Sequence, residues 1–153
     1  MKIGESQGVS TTSHLSSEVI SQLQHMSAAA FEVYRVRGSG FPTEVYRECL
    51  EIELGMREIP TQIKPTQTLS YKGHALVSKV TVDFICYDFI PIVVVVAEQI
   101  TKEMVFTLEN LLEAAKREVG LIVNFGAIAG LEHRRVVPKP RKRDVRIQLD
   151  SER

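Results

Sequence analysis

Cysteine is scarce in this chain: there are two in 153 residues, Cys49 and Cys86, neither in a CxxC pair nor beside a histidine cluster. That argues against a disulfide scaffold and against a zinc site, and leaves two small hydrophobes in a reducing compartment. The four histidines, His14, His25, His74 and His133, show no ligand spacing. Long apolar runs are missing too. The longest, residues 90–97, falls far short of the ~20 residues that cross a bilayer. The opening MKIGESQGVSTTSH is polar and lacks the apolar core of a secretory signal. The expectation is therefore no membrane association and a cytoplasmic location. Net charge is absent as well, since nineteen basic and nineteen acidic side chains cancel. One segment departs from that balance. Between residues 134 and 146, Arg134, Arg135, Lys139, Arg141, Lys142, Arg143 and Arg146 face only Asp144, a local charge of +6.

What is present reads as one domain with one core: 44% hydrophobic and 25% charged residues are ordinary globular values. Residues 1–14, rich in Ser, Thr and Gly, are expected to be disordered. Residues 15–37 carry Val19, Leu23, Met26, Ala30 and Tyr34 at helical spacing, with Ser16 or Ser17 as the N-cap. Gly38-Ser39-Gly40 breaks the chain. Pro42 then suits a first helical turn, Tyr46, Cys49, Leu50 and Leu54 stripe a second helix, and Gly55 is placed to end it.

Residues 61–69 read as a strand, bent or at an edge because of Pro65. A hairpin turn is expected at Tyr71-Lys72-Gly73-His74, and residues 77–87 form a β-branched strand with one acid, Asp83. IVVVV, at 92–96, is apolar on both faces, which places it centrally in a sheet. A third helix is expected over 101–119 with Gly120 as its stop, followed by a buried strand in LIVNFG, a return through 132–137 and a basic tail over 138–153. The order implies an α/β sheet covered by helices, without internal repeats.

AAFEVYRVRGSG at 29–40, GFPTEVYRECL at 40–50, LSYKGHAL at 69–76, VDFICYDFIPIVVVV at 82–96, AEQIT at 97–101 and VGLIVNFG at 119–126 occur in order. Together they make residues 15–137 resemble the bacterial GxxExxY proteins of the PD-(D/E)xK nuclease-like superfamily. The resemblance implies a small central mixed sheet flanked by helices. It also implies a site where an Asp, a second acid and a Lys converge with a Glu from a helix. Such carboxylates bind a hard divalent cation, which polarises phosphate and lowers the pKa of an attacking water.

Carried over position by position, the resemblance puts the family's glycine and tyrosine on Gly40 and Tyr46, and its first strand acid on Asp83. The helical Glu falls on Thr43, the strand Glu on Val93, the strand Lys on Val95 and a helical Gln on Thr107. Only Asp83 keeps the expected chemistry. A slipped match does not repair this. Glu44 is turned about 100° from Thr43 on a helix, and Glu98 has Ile100, not Lys, two residues on. Glu32 is the helix acid available as a migrated ligand; Lys79 and Lys102 are the spare cations, although Lys79 would lie roughly 13 Å from Asp83 along a continuous strand.

The leading expectation is thus a catalytically inactive nuclease-like domain that serves as a binding or assembly module. Its partner would be nucleic acid, through Arg134, Arg135, Lys139, Arg141, Lys142 and Arg143, or a protein, and no cofactor is expected. The alternatives are an active Mg²⁺-dependent nuclease with relocated ligands, Glu32 and Asp83 among them, and a structural homo-oligomer.

Overall fold

The structure, a computed structural model, describes residues 14–140. The expectations for residues 1–13 and for Arg141, Lys142, Arg143 and Arg146 lie outside the described residues.

Helix α1, Ser17–Arg37, begins where the Ser16 hydroxyl accepts the Val19 N–H at 3.2 Å. Its buried residues include Val19, Leu23, Met26 and Ala30 of the expected stripe, while Val33 takes the fully buried place expected of Tyr34, which is half-buried. Gly38 and Gly40 take φ of +70° and +108°, conformations open to glycine, and reverse the chain into α2, Thr43–Met56. Pro42 is the N-cap of α2 and not a first-turn residue.

Gly55 does not end α2. The helix runs on to Met56, and the left-handed position falls on Glu58, φ +59°. The Ile59 N–H bonds the Leu54 carbonyl at 3.0 Å and the Glu58 N–H bonds that of Gly55 at 3.0 Å. This is a Schellman stop in which tertiary burial of Ile59 and Leu54 holds a glutamate where glycine is preferred.

The sheet has five strands in the order β1 (Thr61–Ile63), β4 (Phe84–Cys86), β5 (Ile90–Val95), β6 (Gly120–Asn124) and β7 (Glu132–Val136). The valine strand β5 is central, as its two apolar faces require. It runs parallel to β6, and all other neighbours are antiparallel. Parallel neighbours need a crossover, supplied by α3, Lys102–Ala115. Thr101 caps this helix through the Met104 N–H at 3.2 Å.

Two cores result. On one face α1 and α2 bring Leu23, Met26, Leu50 and Leu54 against Phe84, Ile92, Val94 and Leu121. On the other, Leu108, Leu111 and Leu112 of α3 cover Ile85, Ile122 and Val136, with Val93 and Val95 packed alongside.

Three strand and helix limits differ from expectation. The strand expected over 61–69 is cut at Lys64, φ +48°, into β1 and β2, Thr66–Tyr71. The strand expected over 77–87 is cut at Val82-Asp83 into β3, His74–Thr81, and β4. Strands β2 and β3 form a separate hairpin through the expected turn, with Lys72 and Gly73 at φ +49° and +82°. Helix α3 ends at Ala115 with Lys116 left-handed, so Gly120 opens β6 and ends nothing. A Cβ at Gly120 would lie 3.1 Å from the Leu108 side chain, so α3 packs closely on β6 at this position.

Candidate functional site

Asp83 sits just past the last β4–β5 pair, Phe84–Ile92, at the point where the hairpin leaves the sheet. Its carboxylate is fully engaged. One oxygen accepts the Val94 N–H of the central strand at 2.7 Å, and the other is ion-paired with the Arg47 guanidinium of α2. The pair is largely buried, with side-chain exposures of 30% for Arg47 and 14% for Asp83, so a cation approaching Asp83 meets a fixed positive charge.

Thr43 opens α2 one turn before Arg47, on the same helix face, and is half-buried. Glu44, its neighbour, is exposed, as the helical rotation requires. Val93 and Val95 alternate with the buried Ile92 and Val94 and pack toward α3. Thr107 is exposed on α3.

Glu32 is drawn elsewhere: Arg35, one turn on, holds both of its oxygens at 3.0 and 2.7 Å. That hydrogen-bonded pairing lowers its pKa below the usual carboxylate value. Glu98 and Lys102 are exposed, and Lys79 lies on β3, a different strand from the one that follows Asp83. Among the described residues, no three His, Cys, Asp or Glu side chains come together as a metal site would require.

Two polar groups hold the site's frame through contacts that the sequence alone does not reveal. Asn124, fully buried at the end of β6, satisfies its whole amide. Its oxygen accepts the Ala97 and Gly126 N–H groups, and its nitrogen donates to the Ala97 carbonyl and to Glu132, all at 3.0 Å. The same Glu132 oxygen accepts the Ile100 N–H. This clamp fixes the segment between β5 and α3 against β6 and β7. Its signal in the sequence is the Asn-Phe-Gly that ends the LIVNFG strand.

Tyr46 is the second. Its hydroxyl donates to the Gly38 carbonyl and accepts the Phe41 N–H at 3.3 Å, and its ring stacks on Phe125 at 4.4 Å. The glycine–tyrosine spacing of GSGFPTEVY is therefore the spacing of an interhelical turn tied to the helix it starts.

The basic residues divide. Arg134 and Arg135 lie in β7, half-buried opposite Ile122 and Leu121. The Lys139 ammonium sits 4.6 Å from the Phe106 ring on α3. Arg134 also lines an open groove of about 420 Å³ with Glu98, Gln99, Glu132 and His133, beyond the C-terminal ends of the parallel strands.

A five-stranded mixed sheet with two helices on one face and a crossover helix on the other, entered by an acid at the first short strand beside its centre, defines a nuclease-like α/β domain. The family model described as the PD-(D/E)XK nuclease superfamily matches residues 21–136, and the chain belongs to that superfamily. No curated protein matches it. Among solved structures the chain is similar to the crystal structure of SSO0001, with 16% identity and a TM-score of 0.50. That likeness, which is one of fold, covers 71% of this chain and 56% of that one. Among the described residues, no helix is long and apolar enough to cross a membrane.

Proposed function

We propose that this chain is a GxxExxY-type member of the superfamily with a degenerate catalytic centre, acting as a binding or assembly module and not as a nuclease. The observation that carries the reading is that both oxygens of Asp83 are already taken, one by Arg47 of α2 and one by the Val94 N–H, while Val93 and Val95 pack toward α3. A divalent cation of the Mg²⁺ type needs carboxylate oxygens in near-octahedral array. Here the one acid at the centre already serves a guanidinium and a backbone N–H, and the strand positions that would add an acid and a lysine carry methyl groups. The valines favour packing against α3 over phosphate chemistry.

The test is a cleavage assay on DNA and RNA with Mg²⁺ or Mn²⁺. The expected outcome is no turnover above a buffer control. Robust cleavage that disappears in Asp83→Ala would overturn the proposal and restore the reading of an active nuclease with relocated ligands.

A further inference from the structure

The β2–β3 hairpin stands apart from the five-stranded sheet and contributes only Val80 to the edge of a core. A two-stranded ribbon with so little burial is marginal by itself, and its composition is one-sided. From Ile59 to Val82 the chain contains Lys64, Lys72, Lys79 and His74 and no acid.

The ribbon has two distinct faces. Gln67, Leu69 and Val80 are half-buried: Val80 packs against the core under α3, and Arg117, two residues past the end of α3, donates to the Gln67 side chain at 3.3 and 3.4 Å and braces the base. The opposite face carries Thr66, Thr68, Ser70, Lys79 and Thr81, all exposed, with Thr68 directly across from Lys79 and Thr66 across from Thr81. At the tip Tyr71 is 63% exposed with the Lys72 ammonium 5.4 Å from its ring centroid.

From this arrangement we infer that the β2–β3 hairpin is an arm that binds duplex DNA, with its hydroxyl-and-lysine face against the phosphates and its two strands in the major groove. The inference names the partner of the binding module proposed above. A ribbon two strands wide, roughly 20–25 Å long at the usual rise per residue, fits a major groove about 12 Å across. Threonine and serine hydroxyls with lysines are the groups that hold phosphate oxygens. Single strands are bound on successive aromatic platforms, and this ribbon offers one tyrosine. A-form RNA presents a major groove too narrow to admit it. A second protein chain would seek a continuous apolar surface; the exposed apolar side chains, Tyr71, Ala75, Leu76 and Val77, gather toward the tip, and the rest of the open face carries hydroxyls and Lys79.

The test is fluorescence anisotropy of the full chain on a labelled duplex of about 20 base pairs, in EDTA, over a range of salt. The Lys64→Ala/Lys72→Ala/Lys79→Ala variant is expected to bind at least tenfold more weakly. Its log K against log salt slope should fall by roughly 2–3, one phosphate contact per lysine. Thr68→Glu, a single surface change, is expected to weaken binding several-fold. The hairpin effect should persist when Arg141, Lys142 and Arg143 are all changed to Gln, and duplex RNA should bind at least tenfold more weakly than duplex DNA. Circular dichroism of each variant checks that it is folded.

Unchanged binding by the lysine variant, no duplex binding at low salt, or equal affinity for duplex RNA would each overturn the inference. So would a homodimer in light scattering that the lysine variant abolishes. Because the assay excludes divalent metal, cleavage in Mg²⁺ accompanied by hairpin-dependent binding overturns only the inactive-centre reading. Absence of both cleavage and hairpin dependence overturns only this inference.

Discussion

Asp83 and Arg47 join the entry of the central sheet to helix α2, and the same carboxylate holds the N–H of Val94 in the middle strand. The two roles separate under mutation. Asp83→Ala removes the ion pair and orphans a buried backbone donor, and is expected to destabilise the fold by about 3 kcal/mol. Asp83→Asn keeps an acceptor for Val94 and should lose only about 1 kcal/mol. Arg47→Ala falls between them, since the carboxylate retains one partner. Urea unfolding of the three variants checks the order; equal losses for Asp83→Ala and Asp83→Asn would show that the Val94 bond contributes nothing.

Tyr46 gives the glycine–tyrosine spacing a mechanical meaning that Tyr46→Phe isolates. The phenyl ring keeps its stack on Phe125, while the Gly38 carbonyl loses its donor and the Phe41 N–H its acceptor. The expected loss is about 1–2 kcal/mol. Gly40→Ala acts on the same turn by another route, since φ of +108° is barred to a residue with a Cβ although the space around it is open. Thermal unfolding should therefore show both variants destabilised, with the turn the shared cause.

The sequence made the central position of IVVVV legible because a strand with apolar residues on successive positions must be covered on both sides, and β5 is covered by α1–α2 and by α3. The α1 N-cap and the Lys72-Gly73 turn were legible for local reasons, a hydroxyl before an apolar stripe and a glycine in a reversal. The helices do not stop at Gly55 and Gly120 because long-range packing overrides local preference: burial of Ile59 places the left-handed residue at Glu58, and Gly120 lies inside β6 against the Leu108 side chain of α3. Within the candidate site, Asp83 is legible through the family resemblance, although the continuous strand expected around it is cut at Val82-Asp83. Arg47 is not legible, because a helix residue 36 positions away becomes the partner of Asp83 only once the sheet forms. An arginine one turn beyond Thr43 was the available clue.

Three glycine-related positions are expected to respond in opposite directions. At Gly126 a Cβ would lie 2.7 Å from the Ala97 nitrogen and 2.9 Å from its carbonyl oxygen, backbone atoms that Asn124 holds in place. Gly126→Ala should cost more than about 2 kcal/mol, within the range of overpacking. Gly55 lies inside α2 with nothing near a new Cβ, so Gly55→Ala should stabilise by about 0.5–1 kcal/mol. Glu58→Gly relieves the left-handed residue and should stabilise by several tenths. Chemical denaturation of each variant reads the sign directly.

Cys86 sets the behaviour of the fold in alkali. Burial beside β1 pushes its thiol from the ordinary value of 9.0 up to about 11, an effect only partly offset by the Thr61 hydroxyl. Below pH 9 folded and unfolded chains both keep the proton, and the thiol adds no pH dependence. Between about 9 and 11 the unfolded chain releases it while the folded chain does not, so stability falls with rising pH by about 1.4 kcal/mol per unit. Above 11 both are ionised and the fall ends. Replacing the thiol in Cys86→Ala removes this component while leaving the other titrating groups in place. Urea midpoints measured from pH 8 to 11 under reducing conditions should therefore decline more steeply for the wild type than for the variant. Parallel declines would show that the thiolate is accommodated in the folded chain.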